Sequence, residues 1–92
     1  MTFKQIGEDI DGKEANDQSG WSVSLSSDGS VVAIGTFYGN APTYSGYVRI
    51  YQNQNGIWTK LGDDIDGEAA FDGLGSSVSL SSDGSVVAIG AY

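Results

Sequence analysis

The chain has 92 residues, with twelve Asp and Glu against four Lys and Arg, a formal net charge of −8, and no histidine or cysteine. That acidity sets it against nucleic-acid backbones and anionic membrane surfaces, which attract basic footprints. Residue identity alone excludes disulfides, zinc–thiolate centres, thiol nucleophiles and imidazole bases.

In chain order, Met1-Thr-Phe-Lys-Gln5 has no apolar h-region, so no signal peptide is expected. Glu8-Asp-Ile-Asp-Gly12 follows as a carboxylate-rich turn. Trp21, Val23 and Leu25 then alternate with Ser22, Ser24 and Ser26, a period of two that predicts a strand, a. Ser27-Asp-Gly-Ser30 turns the chain into strand b, Val31 to Gly35, because Asp-Gly between two strand-like runs signals a hairpin. The same Val-Val-Ala-Ile run is the longest apolar stretch; a spanning helix needs about 20 such residues, so no membrane insertion is expected. A Gly- and Pro-containing loop, Tyr38 to Ser45, leads to strand c, Tyr47 to Tyr51. Asn53-Gln-Asn-Gly56 turns into strand d, Ile57 to Leu61, and Asp63-Asp-Ile-Asp-Gly-Glu68 is the second carboxylate run. No stretch repeats apolar residues at helical spacing.

The chain is a repeat. Ser22 to Gly35 recurs unchanged as Ser77 to Gly90, an offset of 55, and 22 of the 37 overlapping pairs are identical. Four antiparallel strands in a unit of this length predict an all-β fold of four-stranded β-propeller blades. A β-sandwich is the alternative. Residues 1–6 align with strand d, so they are expected to serve a shared blade; 21–62 form a complete blade; 76–92 supply strands a and b of another shared blade.

Two blades cannot close a ring, so the ring is expected to be completed by homo-oligomerisation. Three chains of 92 come within one residue of five 55-residue units, but the phase does not continue: a chain ending at the equivalent of Phe37 would be followed by one starting at the equivalent of Gly56. Each chain therefore counts as two blade positions. A trimer is the expected state, with dimer and tetramer as alternatives.

Leu74-Gly-Ser-Ser-Val78, Ser81-Ser-Asp-Gly-Ser85 and Val87-Ala-Ile-Gly-Ala91 resemble the FG-GAP repeats of integrin-α-type β-propellers. The Phe-Gly-like start reads Ser19-Gly20 and Leu74-Gly75, and the Gly-Ala-Pro end reads Gly35-Thr-Phe37 and Gly90-Ala-Tyr92. The resemblance covers nearly the whole chain. It implies an extracellular adhesion or ligand-binding propeller, often with calcium in blade loops. Those loops carry several alternating aspartates, whereas the matching hairpins here keep only Asp28-Gly29 and Asp83-Gly84 between serines.

Alternating carboxylates before glycine make Asp9, Asp11, Asp64 and Asp66 the candidate metal ligands and calcium the candidate cofactor. The other reading is a solvated turn leaving strand d, where Asp and Gly tolerate left-handed backbone. Trp21, Tyr38 and Tyr44, at a strand end or in the b–c loop, are the candidate ligand-binding residues, because exposed rings suit the C–H face of a sugar. Ser-Ser-Asp-Gly-Ser has no histidine base and no nucleophile-elbow spacing, so no enzyme is expected. The functional expectation is a non-catalytic, self-assembling propeller module. The alternatives are a lectin-like or adhesion module, and an engineered propeller fragment without an evolved ligand, which the unbroken 14-residue identity between units would fit.

Overall fold

The computed structural model describes residues 2–91; Met1 and Tyr92, at the ends of the expected 1–6 and 76–92 segments, lie outside them. The Ser/Val/Leu alternation and the Asp-Gly turn produce the first hairpin, β1 (Ser22–Leu25) and β2 (Val31–Thr36). Ser22 pairs with Gly35 and Leu25 with Val32. The turn is braced by one carboxylate oxygen: Asp28 Oδ1 accepts from Ser30 Oγ (2.7 Å), Ser30 N (2.9 Å) and Ser26 Oγ (3.0 Å). These donors, Ser30's hydroxyl first, hold the Asp28 carboxyl below its ordinary pKa. Asp83 repeats the network with Ser85 and Ser81, and its carboxyl is held down to about 2, chiefly by the Ser85 hydroxyl.

β3 (Tyr47–Gln54) pairs antiparallel with β2, and β4 (Ile57–Lys60) with β3, so the first sheet runs β1-β2-β3-β4. These are the four expected strands in the expected order. β5 (Ile65–Asp66) was not expected. The acidic run was read as a turn leaving strand d, but the chain leaves β3 after Leu61, whose N–H donates to Ile50 O (2.7 Å), and rejoins it at Val48↔Ile65 and Tyr47↔Asp66. A two-residue extension carries no periodicity to read. β6 (Ser77–Leu80) and β7 (Val87–Gly90) form a separate two-stranded antiparallel sheet. The described residues contain no helix, and none is therefore long and apolar enough to cross a membrane. Phe3 to Ile6 forms no strand here; Phe3 and Ile6 are exposed.

The two sheets lie face to face, and the identical sequence Ser-Val-Ser-Leu shows opposite burial in β1 and β6. In β1 the serines are covered, while Val23 and Leu25 are 60% and 59% exposed. In β6 the serines are exposed and Val78 and Leu80 are covered. The contact therefore sets the small face of the first hairpin, Ser22, Ser24, Ala33 and Gly35, against the branched face of the second, Val78, Leu80, Val87 and Ile89. Ser22 Oγ donates to Gly75 O (2.7 Å), Leu80 N to Ser24 Oγ (3.0 Å), and Ser27 N to Ser82 O (2.8 Å). The buried apolar residues are Ala33, within this contact, and Val31, Tyr47 and Val48 beside it.

A second tie joins the units through Gly46, which bridges Leu74 in parallel and accepts from Gly67 N (3.0 Å). Gly46 has φ +81°, and a Cβ there would strike the Leu74 backbone. Gly46→Ala combines a left-handed penalty with backbone displacement, so it is expected to lower stability by about 3 kcal/mol. Urea unfolding of wild type and variant measures this, and an unchanged midpoint would contradict the close approach.

Candidate functional site

The b–c loop is organised by Asn40, in left-handed backbone at φ 64°. Its carbonyl accepts from Thr43 N (3.0 Å) and Tyr44 N (3.1 Å). Its side-chain amide donates to Gly46 O (2.8 Å), Asp66 Oδ1 (3.0 Å) and Ser45 Oγ (3.2 Å), and its Oδ1 accepts from Lys13 Nζ (2.7 Å). The loop also contains a cis Ala41–Pro42 peptide bond. The loop before β6 is laid on it: Phe71 N donates to Thr43 O (2.9 Å) and Leu74 N to Ser45 O (2.9 Å). Within that loop Asp72 Oδ2 accepts from Ala69 N (2.8 Å) and Glu68 N (3.1 Å). The equivalent Asp17 makes the same kind of turn with Glu14 N (3.0 Å).

This loop packing gathers the aromatic candidates. Trp21 stacks on Phe37 (5.1 Å, 23°) and meets Tyr38 edge-on (5.9 Å, 87°). Tyr38 meets Tyr44 edge-on (6.4 Å, 86°), and Tyr44 stacks on Phe71 (6.1 Å, 23°). Tyr38, Tyr44 and Phe71 line a cleft of about 440 Å³ with Asn16 and Gln18, and an adjoining space of about 230 Å³ with Phe37. All three of the expected rings thus lie in one continuous aromatic group. Phe71, Asn16 and Gln18 were not anticipated. A signal for Phe71 existed: it stands 55 residues after Asn16, and both adopt left-handed backbone, φ 63° and 67°.

The carboxylate candidates are dispersed. Asp64 is a counter-ion: Arg49 Nε lies 2.7 Å and Lys60 Nζ 2.8 Å from Oδ1, and Lys13 Nζ 3.5 Å from Oδ2. Arg49 Nη2 completes a two-pronged contact at 3.1 Å from Oδ2. Three of the chain's four basic residues thus converge on one carboxylate, and a divalent cation there would have to displace them. Asp66 accepts from Asn40, and Asp9 Oδ1 from Gln5 Nε2 (2.9 Å). Asp9 and Asp11 line a space of about 610 Å³ with Tyr51 and Trp58. Among the described residues no three acids converge in a group that could hold a metal ion.

Asp17 is buried and accepts from Tyr47 Oη (2.9 Å), which itself accepts from Lys13 N (3.1 Å). Burial raises the Tyr47 phenol above its ordinary value. Lys13 Nζ and Arg49 lie over the same ring, 4.4 and 5.1 Å from its centroid.

No protein-family model, curated protein or solved structure matches the chain.

Arg49 first, with Lys60 assisting, holds the Asp64 carboxyl far below the usual carboxylate range. A depressed folded pKa means that this stabilisation is complete above the unfolded value, about 3.9, and is lost as pH falls below it toward the folded value. Asp64→Asn is expected to cost about 2 kcal/mol at pH 7 and to flatten the fall in stability below about pH 4. Chemical denaturation across pH tests this; parallel wild-type and variant curves would refute the role of the pair.

Proposed function

We propose that the chain is a non-catalytic β-propeller module of FG-GAP-like type whose units stack on further units of the same kind, a second copy supplying them for this 92-residue chain. The observation that carries this reading is the reversed burial of the two Ser-Val-Ser-Leu strands. Within the chain, a Ser/Ala/Gly face packs on a Val/Leu/Ile face. The first hairpin's remaining face is Val23, Leu25, Val32 and Ile34; the second's is Ser77, Ser79, Ala88 and Gly90. Because the hairpins are identical in sequence, these two free faces are copies of the two already in contact. One copy set on the next repeats the internal contact: Ser77 Oγ would donate to Gly20 O of the second copy, and Leu25 N of that copy to Ser79 Oγ.

Such a head-to-tail contact continues until rotation closes a ring. With two blade positions per chain a trimer gives six, and the exposed Phe3–Ile6 segment belongs to the blade that two copies share. The absence of chemistry is consistent with the turns: the Ser26 and Ser30 hydroxyls donate to Asp28 as braces, with no imidazole to activate them.

Light scattering on the purified chain at micromolar concentration is expected to give a discrete multiple of 9.6 kDa, a trimer first. Val23→Glu with Leu25→Glu is expected to give a folded monomer, since both side chains are exposed within one chain. A wild-type monomer, or a double variant of unchanged mass, would sink the proposal.

A further inference from the structure

We propose that the cleft between Asn16 and Gln18 of the first unit's entry loop, Tyr38 and Tyr44 of the b–c loop, and Phe71 of the second unit's entry loop binds a pyranose ring of a neutral carbohydrate. The site is made by loops rather than by the strand faces, so it stands on observations independent of assembly.

The lining is three rings and two carboxamides, with no charged side chain. A pyranose presents an apolar C–H face and a rim of hydroxyls that both donate and accept. Ring faces suit the former; Asn and Gln, each donor and acceptor, suit the latter. The carboxamides of Asn16 and Gln18 make no hydrogen bond within the described residues, which leaves both for a ligand. The volume of about 440 Å³ is enough for one sugar ring, and the site is shallow and open, so a saccharide can lie across the rings with its hydroxyl rim in solvent. A net charge of −8 selects neutral sugars over uronic or sulfated ones.

Phe71 gives the independent argument. It is 74% exposed, in a backbone conformation that disfavours a bulky residue. The first unit fills the equivalent position with Asn16, a residue that tolerates that conformation. The phenyl ring therefore costs the fold stability without being buried by it. What it does is stack at 6.1 Å on Tyr44, itself held at φ 55°, and extend the aromatic wall of the cleft. Such conformational cost concentrates where a ligand is gripped.

The test uses the wild-type chain in its native assembled state, titrated by calorimetry with cellohexaose, mannohexaose and maltohexaose, and with trigalacturonate as the anionic comparison. At least one neutral hexasaccharide is expected to bind and trigalacturonate is not. Phe71→Asn, which installs the first unit's own residue, is expected to weaken binding by about tenfold or more while leaving the melting temperature unchanged or raised. The proposal is overturned by the absence of heat with every neutral sugar up to about 10 mM, by equal binding of trigalacturonate, or by Phe71→Asn binding as wild type does. A Phe71→Asn variant that changes in mass instead of in sugar affinity would also overturn it, by assigning the ring to contact between copies.

Discussion

The structure depends on one packing contact: the small face of the first hairpin is seated on the branched face of the second. Ser22, Ser24, Ala33 and Gly35 permit close approach, and Val78, Leu80, Val87 and Ile89 fill it. Apolar burial of this kind, at about 25 cal/mol per Å² removed from water, is the main favourable contribution available to so small a chain. Gly35 shows how tight the fit is, since a Cβ there would strike Gly75 O and the Ser22 hydroxyl. Backbone-to-serine hydrogen bonds then set the register between the sheets, so the serines act as spacers and as polar locks at once.

From that stacking follows the placement of the loops. Once the second hairpin is seated on the first, its entry loop has to cross the b–c loop, and Gly46, Gly67 and Leu74 bond there through backbone alone. Asn40 shapes the b–c loop from within and reaches Asp66 and Lys13 on either side. Asp64 gathers Arg49, Lys60 and Lys13 nearby, so most of the few positive charges in an acidic chain are spent on orienting one corner. The aromatic cleft lies between the b–c loop and the entry loops of the two units. Its lining comes from segments as far apart as Asn16 and Phe71, and it forms where the two entry loops meet the same b–c loop.

Much of the fold was readable in advance. Strands β1 to β4, β6 and β7 fall where alternation of side chains and the turn residues Asp28-Gly29, Asn55-Gly56 and Asp83-Gly84 place them, because period-two patterning and turn chemistry are local properties. β5 was not readable, since Ile65–Asp66 pairs with Val48 and Tyr47 across 17 residues or more and has no pattern of its own. For the site, Trp21, Tyr38 and Tyr44 could be picked out as rings at a strand end or in the b–c loop. Asp64 looked like a metal ligand from its neighbours in sequence, yet its neighbours in space are three cations. Phe71 was overlooked although the repeat itself flagged it, as an aromatic where the other unit has asparagine.

The amino-acid sequence by itself determined the duplication, the strand order within a unit, the turns and the exclusion of histidine and cysteine chemistry, since each is written in residue identity or short-range spacing. Which face of each hairpin is covered could not follow from it, because the two hairpins are the same 14 residues. Only the tertiary structure separates them, covering serine in one and valine and leucine in the other, since burial is a property of what lies opposite and not of the strand. The same holds for the carboxylates and the rings, whose neighbours are those that long-range packing brought to them.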